Sequence, residues 1–227
     1  MSHLERMWGS HIIAKPVDLR NLAMLTIGFF FLLRGINVRE LKRGDLTRDE
    51  ASGSWRVFID HQKNDPLILG KPGTAQGAIQ WAGNRLLDEV LNAWIRVADL
   101  HEDDFLFPQS TLTGPKVISW KGQVERFVPI HALTTSQHVN VWLKKSVKEL
   151  SPEEDVSRLT FHSCRVGGAS AIFAATQNEE LVRKMGNWRS EAFRTYIAIA
   201  TQDVIDITTA LGRQEPPVSG VPSLLIQ

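Results

Sequence analysis

The hydrophobic positions of this chain repeat mostly at helical spacing. From Asp18 the stretch DLRNLAMLTIGFFFLLR is apolar nearly all round, with Pro16 ahead of it and Gly35 just past Arg34. Proline at the start and glycine at the end are helix punctuation, so this run predicts a buried helix that carries Arg34 at its end. RLLDEVLNAWIRVADL, residues 85–100, repeats its apolar residues at the same spacing and runs into the acidic HEDD. From Thr134 onward helices dominate: SQHVNVWLKKSVKEL, RLTFHSCRVGGASAIFAATQ, NEELVRKMG, SEAFRTYIAIA and TQDVIDITTALG follow one another, separated by SPEED and GNW.

Between the first two helical runs the pattern changes. WRVFID at 55–60 is a short β-leaning run, KNDP at 63–66 is turn chemistry, and LILGKPGTAQGAIQW follows. A hairpin or small sheet is expected there, because Gly70, Pro72, Gly73 and Gly77 oppose a helix until about Asn84. FLFP at 105–108 reads as a buried strand or turn and VERFVPI at 124–130 as another extended segment. The fold class expected is α+β, mainly α with a small antiparallel β-sheet or hairpin region. RQEPPVSGVPSLLIQ, with its prolines, predicts a flexible tail over 213–227.

Composition narrows the classes. At 227 residues and 43% hydrophobic, the chain can build one large core. The longest apolar run, Leu22 to Leu33, falls well short of the ~20 residues needed to span a bilayer, so no membrane association is expected. MSHLERMWGS has no basic region followed by an apolar one, and the single cysteine, Cys164, cannot close an internal disulfide; both agree with an intracellular protein. The net charge is only +1, yet bases exceed acids in LLRGINVRELKRGD, where Arg39, Lys42 and Arg43 are candidate DNA contacts, while HEDD and PEED concentrate negative charge elsewhere.

Candidate chemistry gathers toward the C-terminal end. His162 and Arg165 stand three apart in a helical pattern and share a face, which places an acid/base group beside a permanent cation. Tyr196 is the only tyrosine. A phenol ionises near pH 10, so it becomes a useful nucleophile only where cations and a proton acceptor favour its oxyanion. Arg34 closes an apolar run, where a charge is costly unless it is paired or faces a polar cavity. Lys63 sits at the hairpin turn. Taken singly, each has an ordinary structural explanation: a surface pair, an amphipathic core tyrosine, a snorkelling arginine, a solvated lysine. GKPGTAQG lacks the Ser or Thr that a phosphate loop requires after its lysine, and the histidines show no metal-ligand spacing, so neither cofactor nor metal is expected.

The order Arg34, Lys63, His162-x-x-Arg165, Tyr196 resembles the catalytic set of the tyrosine recombinases, the phage integrase family found on mobile elements. Asp45 follows Arg34 at the family's spacing, HQKND resembles its hairpin lysine, and MGNWRSEAFRTYI is similar to its G-H-W-S-S-x-A-F-x-x-Y segment. The resemblance covers residues 18–212 and implies a catalytic domain there, preceded by an N-terminal extension over 1–17 that is a remnant of, or linker from, a DNA-clamping domain. It departs in two places. Asn37 replaces an acidic residue, and Asn187 stands where the family has His or Trp, with Trp188 next to it.

The activity implied is strand cleavage and rejoining on double-stranded DNA through a 3′-phosphotyrosine, used in recombination, integration and transposition. Tyr196 is the implied nucleophile, with Arg34 and Arg165 on the phosphate and Lys63 protonating the leaving oxygen. His162 serves as base, relay or phosphate ligand, and Asn187 or Trp188 completes the phosphate shell. A tetramer on DNA, joined by the C-terminal segment, is also implied. Two alternatives stay open: a decayed or domesticated DNA-binding module of the same fold, and a helical protein-interaction domain.

Overall fold

The computed structural model describes residues 3–59, 78–133, 136–188 and 190–197. Lys63, most of the expected hairpin, the expected helix over 201–212 and the tail over 213–227 lie outside the described residues.

Helix α1 (His3–Trp8) packs on α2 (Pro16–Phe30), and Met7 and Ile13 are fully buried. Pro16 occupies the first turn of α2, where a missing N–H is harmless, and Asp18 accepts the Lys15 amide at 2.8 Å. Leu19, Leu22, Ala23, Leu25 and Ile27 are completely buried, as an all-round apolar helix demands.

The sequence placed Arg34 at the end of this helix, but α2 stops at Phe30. Leu32 adopts a left-handed conformation (φ 52°), and the Leu33 amide donates back to Gly28 O at 3.2 Å, which closes a Schellman turn. Gly35 therefore opens a new helix, α3 (Gly35–Glu40), instead of ending the old one, and Arg34 becomes its N-cap residue. A leucine at positive φ is strained, yet it sends its side chain into a second apolar cluster with Ala169, Val182, Trp188, Phe193 and Ile197.

Strands β1 (Leu46–Arg48), β2 (Trp55–Ile59) and β3 (Ala78–Ala82) form one antiparallel sheet in that order, with Trp55 opposite Ala82 and Ile59 opposite Ala78. Its inward residues Trp55, Val57 and Ile59 are buried. Helix α4 (Arg85–Ala98) is capped by Asn84, whose side chain accepts the Leu86 amide at 2.8 Å, and buries Trp94, which donates to Leu106 O at 2.8 Å. A second sheet holds β4 (Pro108–Ser110), β5 (Lys116–Trp120) and β6 (Gln123–Leu133) in the order β4-β6-β5. The sequence pattern identified only part of β6 as a strand. The β5–β6 turn is made by Lys121 and Gly122, both at positive φ, as a two-residue hairpin requires.

Helices α5 (Ser136–Leu150), α6 (Phe161–Thr176) and α7 (Glu179–Met185) complete the described chain, with a helical turn over 194–197. The fold is mainly α with two small antiparallel sheets, as the sequence pattern indicates. No helix among the described residues is long and apolar enough to cross a membrane.

Candidate active site

The first turn of α6 organises the site. Asn140 on α5 accepts the Phe161 amide at 2.6 Å and so holds this helix start, which presents His162 outward and Arg165 inward. Gly168 lets α6 close onto the end of α2; any Cβ there would collide with the Phe29 carbonyl oxygen. That approach sets Arg165 between two helix ends. Its Nη1 donates to Leu32 O and its Nη2 to Gly186 O at 2.8 Å.

Gly186 belongs to a second Schellman turn, in which the Trp188 amide donates to Arg183 O at 3.0 Å and Asn187 takes the left-handed position at φ 47°. The guanidinium thus bridges the C-termini of α2 and α7, where unsatisfied carbonyls and the helix dipoles favour a cation. Its flat side lies on the Trp188 ring, 4.0 Å from the centroid. Arg165 is only 5% exposed. Burial, first, and the charge of Arg34, second, lower its pKa to about 10, while Tyr196 opposes the shift.

Arg34 is half-buried, and among the described residues no hydrogen bond or ion pair engages its guanidinium. Its charge is felt by both Arg165 and His162. Two arginines within mutual repulsion, with no bonded carboxylate among the described residues, form a site of positive potential suited to an anion with several oxygens. His162 has its pKa pushed below the ordinary imidazole value by burial and then by Arg165 and Arg34, which favours the neutral ring. Its Nε2 lies 3.1 Å from the Tyr196 hydroxyl, within hydrogen-bond reach. The Tyr196 ring stands edge-on to His162, centroids 5.7 Å apart, and tilted against Trp188 at 5.5 Å.

The structure therefore brings Arg34, His162, Arg165, Trp188 and Tyr196 together. The Trp188 ring touches both Arg165 and Tyr196. Asn187 occupies the turn position that asparagine tolerates at positive φ. Cys164 points away from this face into the core, where burial pushes its thiol up to about 12.

The expected DNA-contact strip is placed differently from the charge map read off the sequence. The HEDD loop does not lie elsewhere: Arg43 N donates to Asp104 O and Gly44 N to Glu102 O, each at 2.9 Å, and Lys42 Nζ stands 4.0 Å from Asp103. Arg43 Nη1 donates to Leu46 O at 2.9 Å, and Arg39 Nε is buried without a hydrogen-bond partner among the described residues. The acids follow α4 directly, and the turn after Ala98 folds them back against residues 42–45. Sequence reasoning missed the carbonyls of Leu32 and Gly186. Backbone acceptors carry no residue signature, and the glycine in GNW was the only hint.

No family model matches the chain, and no curated protein matches it. Solved structures do. The XerH site-specific recombinase bound to difH substrate in a pre-cleavage complex superposes with a TM-score of 0.59 at 16% identity, over 91% of this chain and 50% of that one. A post-cleavage complex of XerH on a palindromic difH substrate gives 0.60 at 15%, over 93% and 51%. The Tn1549 transposon integrase in complex with circular intermediate DNA gives 0.50 at 15%, over 86% and 57%. This chain spans about half the length of those proteins. The fold is a mainly helical domain with its polar site at converging helix ends, and in that fold it is similar to these recombinase and integrase structures.

Proposed function

We propose that the chain is a DNA strand transferase working through a covalent 3′-phosphotyrosine. The observation that carries this reading is the Tyr196 hydroxyl 3.1 Å from His162 Nε2, beside two arginines that make no ion pair with a carboxylate among the described residues. In that setting the phenolic proton passes to His162 Nε2 as Tyr196 Oη attacks the scissile phosphorus. Arg34, whose guanidinium has no bonded partner among the described residues, takes a non-bridging oxygen, and Arg165 holds the adjacent potential positive as charge builds in the transition state. The O5′–P bond breaks and the departing oxygen takes a proton from Lys63, while the 3′-phosphate stays on tyrosine. Attack by a 5′-hydroxyl reverses the steps and restores the phenol. The phosphotyrosyl ester conserves the energy of the broken bond, so rejoining requires no other energy source.

Double-stranded DNA is the proposed substrate, contacted also by Arg39, Lys42 and Arg43, and assembly as a tetramer through the C-terminal segment belongs to the same proposal. A second reading has its own observation. Both Nη atoms of Arg165 are committed to carbonyls, which also fits a fold that binds duplex without cutting it. A nicked suicide duplex separates the two. Wild type should form a covalent protein–DNA adduct and Tyr196→Phe none, with duplex affinity within about two-fold. An adduct that persists in Tyr196→Phe removes Tyr196 as nucleophile, and duplex binding without any wild-type adduct selects the second reading.

A further inference from the structure

Strand β3 alternates as an edge strand should: Ile79 and Trp81 are 55% and 53% exposed, and Gln80 between them turns inward. Gln80 Nε2 donates to Met185 O at 2.9 Å. Met185 ends α7, so its carbonyl is one of those a helix leaves without an intrahelical partner. The next carbonyl along, Gly186 O, is the one that receives Arg165. The sheet therefore pins the peptide beside the one that holds the guanidinium. Gln80 Oε1 is buried and has no hydrogen-bond partner among the described residues. An apolar side chain would avoid that orphaned acceptor. What only the amide supplies is the bond to the end of α7.

We infer that Gln80 is a positioning residue for Arg165: it fixes the Met185–Gly186 turn, and through it the direction in which the guanidinium meets a phosphate. The inference rests on the strand-transfer reading above and gives sheet β1-β2-β3 a role through its inward face. Gln80 touches no reacting group. It acts through the carbonyl next to the one it bonds, and Trp188, two residues beyond Gly186, moves with the same turn.

The test uses Gln80→Leu, which keeps volume and loses the donor, with Gln80→Asn, too short to reach Met185 O, as the second variant should the first not fold. The first readout needs no reaction. In nitrogen-15 spectra the Arg165 guanidinium protons should be resolved in wild type and averaged by faster rotation in Gln80→Leu. Arg20, buried and bonded to Asn21 and Pro108, should stay resolved in both. The second readout is single-turnover adduct formation at saturating nicked duplex. The rate should fall about ten-fold or more with duplex affinity unchanged, since sub-ångström misplacement of a positioning group acts on the chemical step. In an Arg165→Lys background the same substitution should change the rate less than about two-fold, because the group it positions is gone. Unaltered Arg165 signals, a full rate, or effects that simply multiply would each overturn the inference. If wild type forms no adduct, the strand-transfer reading falls and the Arg165 signals alone decide this one.

Discussion

Replacing Arg165 by methionine asks whether the buried guanidinium supports the fold or is carried by it. The downward shift of its pKa from 12.5 to about 10 corresponds to a cost of about 3 kcal/mol for keeping the charge where it is. Against that stand two charge-assisted hydrogen bonds, to Leu32 O and Gly186 O, at about 1.5–3 kcal/mol each. The Trp188 face adds about 0.5–2 kcal/mol. The balance favours arginine by roughly 2 kcal/mol, because methionine fills the volume but leaves two buried carbonyls unpaired. For a domain of this size that is a Tm lower by roughly 4–8 °C. Thermal unfolding followed by circular dichroism at neutral pH and low salt measures it, and adduct formation should be lost as well. A purely catalytic arginine, buried at net cost, would give the opposite sign, with Arg165→Met melting higher than wild type. A Tm at or above wild type refutes the clamp.

Gly186→Ala should act on the same place by collision, since an added Cβ falls inside the Trp188 ring. A loss of about 1–3 kcal/mol in urea unfolding is expected, and an unchanged midpoint would mean that Trp188 does not pack as described. His162, titrated by proton NMR, should have its midpoint below 6.5, and Arg34→Gln should raise it by removing one of the cations that hold it down. Because the folded ring binds its proton less readily than the unfolded one, this group's share of stability is full above about pH 6.5 and is lost as pH falls toward the folded value. An Arg34→Gln midpoint lower than wild type would contradict the placement of Arg34. Asn187→Gly should leave the Tm within about 2 °C, since glycine accepts φ 47° freely, whereas Asn187→Val should cost about 1–2 kcal/mol; equal melting of the two would argue against the left-handed turn.

The parts of this molecule legible in its sequence are those fixed by periodicity and side-chain chemistry. Helices α4 to α7 follow from apolar spacing, and the grouping of His162 with Arg165 follows from their places on one helix. What escaped was set by backbone. The run Leu22–Leu33 has uniform hydrophobicity, so nothing in it marks Phe30 as a helix end. The break is made by the Leu33-to-Gly28 bond and by what the strained Leu32 buries, both of them tertiary facts. Strand β5 was missed because KVISW is short and sits on an edge, with Val117 half exposed, so it has little alternation to read. The HEDD loop looked remote from the basic strip because the two are far apart in the chain, and only the turn after α4 brings them together.

The departure at Asn187 has a physical reading that the sequence could only pose as a choice. α7 ends in a Schellman turn, and such a turn needs a residue that accepts positive φ at the position after the cap. Asn187 fills that need at φ 47°, which carries the indole of Trp188 back under Arg165 and against Tyr196. Gly186 is required at the cap because the returning indole occupies the space of any Cβ there. The three residues work as one unit: glycine makes room, asparagine makes the turn, and tryptophan supplies the surface on which guanidinium and phenol meet. Aromatic packing can seat the phenol, but an indole ring against a guanidinium adds no donor directed at a phosphate. The burden of gripping a non-bridging oxygen in such a site therefore shifts to Arg34, whose guanidinium is the one left without a bonded partner among the described residues.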